Sequence, residues 1–382
     1  MSSAKPLKGI TVVEIGHSVA APFAGLILAE LGAEVIKVEN PKGGDYARAW
    51  GPPFWNGIAS IFQALNRGKS GITVDFRDAQ QAERLKSLIL ERADAVIQNL
   101  RAGVMEGYGL GAAQLTAEKP SLIFCDLGAY GDAGPLAHKP GYDPLMQAFA
   151  GLMSVTGEGN DRPPIRVGVS IVDMGAGMWS TIGILAALLE RARTGQGGAV
   201  ATSLYETALA WMTVPLAGYA ANKEIRGPQG SGAAEIVPYQ CFLTANGWLM
   251  IAAGNDNLYR RLCATLGRPD LCDDARFRTN GDRVVNRSVL IPLLEEIVRA
   301  MNIEDLMTAL DVAGVPNAPL QNLAQVSAHA QTEAVGILQK GPDGALPTIG
   351  LPLTFDGERS SYNRTAPALG EHNNALLGNT KV

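Results

Sequence analysis

ITVVEIGHSVAAPFAGLILAELGAEVIKVE, residues 10–39, is the stretch on which the fold turns. Its first six residues are an apolar run that reads as a strand. AGLILAEL then reads as a helix with Pro22 near its first turn and Gly32 past its end. Proline just inside a helix start and glycine just beyond its close are ordinary helix punctuation. VIKVE (35–39) supplies a second strand, and strand–helix–strand predicts parallel strands joined by a right-handed crossover. The alternation continues through a helix near 60–66, GITVDF (71–76), a helix at 79–92, ADAVIQN and SLIFCDLG. An open α/β sheet is the expectation. Ligands bind such sheets beyond the carboxyl ends of strands, where His17, Glu39, Asn99 and Asp173 are expected to stand.

Asp173 lies in PPIRVGVSIVDMGAGMWSTIGILAALLERARTGQGG (163–198). The apolar run 167–172 is expected to be a strand ending at Asp173, followed by a helix that closes on Arg191, Arg193 and Gly195. A carboxylate at that junction has two readings. It caps the helix by accepting first-turn N–H groups, or it is a working carboxylate kept ionised by those N–H groups and the helix dipole against the cost of burial. Local pattern does not choose between them.

A strand-like 199–203 and an apolar helix over 204–221 lead to GPQGSGAAE (227–235), a glycine-rich segment that serves as a linker or as a lid. YQCFLT and WLMIAA flank Ala245-Asn246-Gly247, a hairpin signal. Helices are expected at 258–266, 289–301 and 303–312, with Gly267 and Gly314 as C-caps, then a strand IGLPLTF and a loop GEHNNALL. This pattern predicts a large α/β domain over 1–222, a linker or lid at 223–234, a smaller α+β domain over 235–334, and a C-terminal segment over 335–382.

With 382 residues, two cores are the prior. A 47% hydrophobic, 18% charged composition can fill them, and a net charge of −5 argues against general nucleic-acid binding. The four cysteines and four histidines show no zinc spacing, so no metal is expected. GHSVAAP after the first strand is not a dinucleotide fingerprint, and no phosphate-loop motif occurs. The N-terminus lacks a signal-peptide core and no run of about 18 apolar residues appears, so a cytoplasmic protein without membrane partners is expected.

Taken in order, PLKGITVVEIGHSVAAPFAGLILAELGAEVIKVENPKGGDYAR, NRGKSGITVDFRD, ADAVIQNLRAGVMEGYGL, the block from GYDPLMQAFAG through RARTGQG, and GEHNNALL resemble the family III CoA-transferases, a group that includes formyl-CoA transferase and related acyl-CoA racemases. The resemblance spans nearly the whole chain. It implies a Rossmann-like large domain to which the C-terminal segment, 335–382, returns, CoA exchange between an acyl-CoA and a free acid, an interlocked homodimer, no tightly bound cofactor, and Asp173 as the nucleophile. Aspartate suits that task because its ordinary pKa of about 3.9 leaves it ionised at pH 7 without a general base.

The resemblance further implies that His17, Ser18 and Val19 lie at the acyl end, with backbone N–H groups for an oxyanion. It places Tyr142 and Asp143 in the pocket and matches the shielding loop to Gly227, Gly230 and Gly232. CoA contacts are implied at Ile72, Asn99, Leu100 and Lys139, with Lys37 and Arg101 near the phosphates. Asn40 and Gly107 stand where formyl-CoA transferase has arginines, so Arg67 or Lys69 is the expected substitute. Tyr142 replaces the base histidine of the racemases, and tyrosine is a poor α-proton base near pH 7. WGPPF resembles transferases of dicarboxylates, so succinyl-CoA or another short or dicarboxylic acyl-CoA is the expected donor. A racemase or epimerase, or a CoA-binding protein without catalysis, is the alternative.

Overall fold

A computed structural model of the chain describes residues 5–342 and 346–378. The domain limits expected at the two termini therefore partly lie outside the described residues. The chain divides into two units: a larger one through Ala150, Val167–Thr213 and from His329 onward, and a smaller one of Gly151–Arg166 and Val214–Ala328.

The larger unit is built on six strands, β1 (Thr11–Ile15), β2 (Glu34–Glu39), β3 (Ser70–Thr73), β4 (Ala95–Gln98), β5 (Ile123–Gly128) and β6 (Gly198–Ser203). They pair in the order β3-β2-β1-β4-β5-β6, and every pairing is parallel. Alternate strand residues serve opposite faces: Val13, Ile36 and Val96 pack on one, Val12, Val35 and Ala95 on the other. Parallel strands covered on both faces read as continuous apolar runs, as these do. The strand order reverses between β1 and β4, which opens a crevice at their carboxyl ends.

The helices that shape this crevice are α1 (Ala20–Glu30), α2 (Ala79–Arg92), α3 (Asp143–Phe149), α4 (Ile171–Thr194) and α5 (Leu204–Trp211). The expected strand at 167–172 does not form. Val167 N–H donates to the Gln147 side chain at 2.8 Å, and α4 begins at Ile171. A short apolar run cannot by itself be told from the buried start of a helix. Asp173 is therefore in the first turn of α4 rather than at its cap, while Ser170 occupies the cap position without a side-chain bond. Gly175, Ala176 and Gly177 lie within the helix, all buried. A Cβ on Gly177 would stand 2.6 Å from the carbonyl oxygen of Ala20 and 3.1 Å from Ala24 N. Glycine here permits backbone-level approach of α4 to α1. α4 is also long and apolar enough to cross a membrane by composition, but it packs along α1, β5 and β6 as a core helix. Its end is as expected: Gly195 adopts φ 74° and Arg191 pairs with Asp94 at 2.9 Å.

The apolar helix expected over 204–221 is interrupted at Met212: α5 ends in the larger unit and α6 (Thr213–Asn222) follows, its residues from Val214 onward belonging to the smaller unit. The expected hairpin is present as antiparallel β7 (Tyr239–Leu243) and β8 (Trp248–Ala252). Then come α7 (Asp256–Thr265), α8 (Arg287–Arg299), α9 (Ile303–Ala313) and β9 (Asn317–Pro319), which pairs with β8. Phe242, Leu249, Tyr259, Leu290 and Leu306 belong to its separate core.

The chain returns to the larger unit along the exposed side of β3. IGLPLTF does not make one strand; only Thr348–Ile349 and Thr354–Phe355 are extended, each in its own pair. GEHNNALL is not a simple loop either, because Asn373–Leu377 forms α10. His372 Nδ1 accepts from Gly71 N–H at 3.2 Å, and Asn373 Oδ1 accepts from Thr73 N–H at 2.8 Å. Side chains thus occupy the donors of an edge strand that would otherwise invite pairing with another chain.

Gly177→Ala is expected to cost about 1–3 kcal/mol, because the obstacle is backbone and cannot rotate away. A denaturation midpoint unchanged from wild type would show that α1 and α4 can separate freely.

Candidate functional site

The turn leaving β1 is fixed from two sides. His17 N–H donates to Asn99 Oδ1 and Asn99 Nδ2 donates to the His17 carbonyl, both at 3.0 Å, so β1 and β4 are tied together at the point where strand order reverses. Ser18 has φ 70°, a left-handed conformation that is uncommon for a side-chain-bearing residue. Its N–H donates to Asp45 Oδ1 at 2.9 Å. The expected oxyanion donors at His17 and Ser18 are therefore already committed to protein acceptors. Val19 is the cap residue of α1 and is buried.

Under this turn lies a set of charges with no solvent exposure. Lys37 Nζ contacts Glu14 at 3.0 Å, Asp45 at 2.9 Å and the Gly16 carbonyl at 3.0 Å. Lys69 contacts the second oxygen of Glu14 at 2.6 Å and the Asn66 side chain at 2.9 Å. Lys37, expected near the CoA phosphates, is thus consumed inside the fold, and the alternative Lys69 is equally enclosed. Arg67 is also buried, paired with Glu30 and bonded to the Ile349 carbonyl. These three cations are corrected from ligand-binding to structural because their partners come from strands and segments far away in sequence. Glu39, at the end of β2, takes both Arg48 and the Asp45 N–H.

The start of α4 has an unexpected arrangement. Asp143, first residue of α3, is 2% exposed, and its Oδ2 accepts from Val172 N–H at 2.7 Å and Asp173 N–H at 3.2 Å. Gln147, one turn on, donates to Oδ1 at 2.6 Å. The capping expected of Asp173 is thus performed on it by Asp143. Asp173 itself is 8% exposed. Burial first, and the neighbouring Asp143 charge second, push its carboxyl up to about 7. The assumption of an unperturbed, fully ionised aspartate is corrected accordingly.

Asp173 lines a cavity of about 640 Å³ together with His17, Ser18, Tyr46, Trp50, Asn99, Leu100, Arg101, Lys139 and Tyr142. Tyr142 is about half exposed there. A second cavity of about 310 Å³ shares His17, Tyr46 and Leu100 with the first and is walled by Phe76 and Tyr108, stacked with centroids 5.5 Å apart. Ile72, expected to contact CoA, lies on β3 in the core and is fully buried. Gly227, Gly230 and Gly232 belong to the smaller unit. There Gly230 N–H donates to the Gly157 carbonyl at 2.8 Å, and Arg287 holds Gln229 and the Ala233 and Ala234 carbonyls.

Sequence reading missed Tyr46, Trp50, Asp126 and His138 among the cavity residues. Asp126 is near the end of β5, where the strand-end rule would have found it. Burial and then the Asp132 charge raise its carboxyl to about 6. Burial lowers the His17 pKa below its ordinary value, against the pull of Asp45.

A crevice at the reversal of a doubly wound sheet, holding a buried carboxyl whose pKa is raised to about 7, is where an α/β enzyme places its active site. Residues 7–373 match CoA-transferase family III. The chain is 35% identical over 381 residues to a succinate–glutarate CoA-transferase of Agrobacterium fabrum, covering 97% of this chain and 95% of that one. It is 34% identical to a succinyl-CoA:glutarate CoA-transferase of Mus musculus, with 98% and 86% covered. Among solved structures, a CaiB/BaiF family protein from Brucella suis aligns with a TM-score of 0.86 at 38% identity, covering 98% of each chain. The chain belongs to CoA-transferase family III. It is a CoA-transferase, an enzyme whose substrates are CoA thioesters.

With the Asp173 carboxyl near 7, kcat/KM is expected to fall on the acid side of neutrality as the carboxylate is protonated. Asp143→Asn keeps an oxygen acceptor for the two N–H groups but removes the like charge, so the acid limb should move to lower pH. A limb that stays in place would exclude the Asp143 charge as a cause.

Proposed function

We propose that this enzyme moves CoA between succinyl-CoA, or another short or dicarboxylic acyl-CoA, and a free dicarboxylic acid through a mixed anhydride on Asp173. The observation that carries the mechanism is a nearly enclosed carboxyl opening into the cavity at the strand-order reversal. The dicarboxylate assignment is supported by the succinate and glutarate activities named for the two relatives.

The steps balance without a redox partner. A carboxylate oxygen of Asp173 attacks the thioester carbonyl, the C–S bond breaks, and CoA leaves as thiolate. The thiolate attacks the aspartyl carbonyl, releasing the first acid and leaving CoA on Asp173 as a thioester. The incoming acid attacks this thioester, giving a new anhydride and freeing the thiolate again. Attack of the thiolate on the new acyl carbonyl restores Asp173. Each bond broken is replaced by one of similar reactivity, so water is the competitor to exclude.

CoA is assigned to the two adjoining cavities, with Asn99 and Leu100 along the pantetheine arm and Arg101 and Lys139 as the cations for phosphate. Both cations line the larger cavity. A homodimer is also proposed, supported by apolar residues on α4 that stay open to solvent in the single chain: Met178 at 47%, Trp179 at 44%, Ile182 at 50% and Leu189 at 70%. The four free cysteines suit a reducing cytoplasm.

Incubation with a matrix of acyl-CoA donors and acids should show exchange for dicarboxylates, read by mass spectrometry. Hydroxylamine added with donor alone should release CoA and leave a hydroxamate at Asp173. Asp173→Ala should lose at least about 10³-fold in transfer. Transfer by that variant at the wild-type rate would sink the covalent mechanism. Light scattering is expected to give twice the chain mass.

A further inference from the structure

We propose that the Asp126 carboxylate accepts a hydrogen bond from the pantetheine amide N–H farther from sulfur and so sets the course of CoA away from Asp173, a role that rests on the transferase reading above. Three observations carry it. The first is the side of the sheet that each group serves. Along β5, Ile123 and Cys125 pack with Ile184 of α4, whereas Phe124 packs with Leu85 and Ile89 of α2. Successive strand residues point to opposite faces. Asp126 therefore shares the α2 side with Phe124, while Asp173 stands on the helix that covers the other side.

Both residues nevertheless line the larger cavity, which thus passes over the carboxyl ends of the strands. The second cavity continues on the α2 side, walled by Ile15, Val38, Phe76 and Leu100. A CoA thioester with its carbonyl at Asp173 and its nucleotide in the second cavity has to cross those strand ends. The amide nearer sulfur stays beside Asp173. The farther one is past the crossing, on the side of Asp126.

The second observation is how Asp126 is held. It is the register partner of Gln98 on β4. Gln98 is buried, and its side-chain oxygen accepts the Leu100 N–H at 2.6 Å. The amide nitrogen is the end left for Asp126, to which it donates. An ionised carboxylate has room for about four donors on its two oxygens, so one N–H leaves it short, and the carboxyl lines a cavity from which others can come.

The third is charge. Burial first, then the charge of Asp132 and, more weakly, that of Glu106 push the Asp126 carboxyl up to about 6, against the one bond from Gln98. A free dicarboxylate is repelled from this position. An amide N–H supplies the missing donor without bringing charge, and bonding to the ionised form favours that form. Arg101 and Lys139, in the same cavity, are left for phosphate.

Succinyl thioesters of CoA, pantetheine and N-acetylcysteamine, each with glutarate as acceptor, test this. The first two carry both amides and the third only the one nearer sulfur. In Asp126→Ala, kcat/KM for the CoA and pantetheine thioesters, each divided by that for the N-acetylcysteamine thioester, should fall by about 10-fold or more, as expected for loss of a hydrogen bond to a charged group. Asp126→Asn keeps an oxygen but not the charge. It should show a smaller fall in the same ratios, and it decides the matter if Asp126→Ala does not fold. Ratios equal to wild type would overturn the proposal, because a purely structural role, or contact with the nearer amide, lowers turnover of all three thioesters alike. A fall for the CoA thioester without one for the pantetheine thioester would also overturn it, since the contact would then be with the nucleotide. Absence of exchange and of Asp173 modification in the wild-type enzyme would instead overturn the transferase mechanism on which it rests.

Discussion

The bond from Asp143 to the start of α4 sets the terms for the rest of the site. Two first-turn N–H groups need acceptors, and the one they find is a carboxylate from another helix. That choice leaves the Asp173 side chain unencumbered by capping and places a second negative charge beside it. Burial and like charge then raise the Asp173 carboxyl to about 7, working against the helix dipole, which favours the anion. A carboxylate of higher basicity is the stronger nucleophile. In the proposed mechanism, acylation would remove the Asp173 charge and with it the repulsion from Asp143, so burial and the Asp143 charge would disfavour the free anion relative to the covalent state.

The second constraint is the reversal of strand order between β1 and β4. Asn99 closes this junction by binding both backbone groups of His17. The charges beneath, Glu14, Lys37, Asp45 and Lys69, come from β1, β2, the loop after β2 and the approach to β3. They turn the reversal into one rigid turn. Through Glu39 and Arg48, which also reaches the Pro367 carbonyl, the C-terminal segment supports the same loop.

Much of the architecture was legible because it is written in local punctuation. α1, α2 and the β7–β8 hairpin follow from Pro22 and Gly32, from the helix read at 79–92, and from Asn246-Gly247. Asp173 was legible as a carboxylate at a helix start. What failed depended on distant partners. Lys37, Lys69 and Arg67 look like free cations in sequence, since nothing near them announces Glu14 or Glu30. The run 167–172 satisfies a strand pattern, yet the Gln147 side chain takes its first N–H. Asp143 reads in sequence as a pocket residue by resemblance or as a turn residue before Pro144, and its bonds to the start of α4 emerge only when α3 meets α4 some 30 positions later. His372 and Asn373 make sense only beside the open edge of β3.

These distant pairings explain why the cations sit where they do. A lysine placed directly against Asp173 would stabilise its anion and pull the pKa back toward the ordinary value, which would weaken it in the proposed nucleophilic role. Lys37 is instead held beneath the turn by Glu14 and Asp45, both of opposite charge. Burial lowers the His17 pKa below its ordinary value, against the pull of Asp45. The turn lines the cavity with the side chains of His17, Ser18 and Asn99, while the paired charges of Asp45 and Lys37 bond its backbone. In the proposed mechanism, polar groups of this kind would favour charge developing on a carbonyl oxygen over charge on the resting carboxylate, the difference on which acceleration of the chemical step depends.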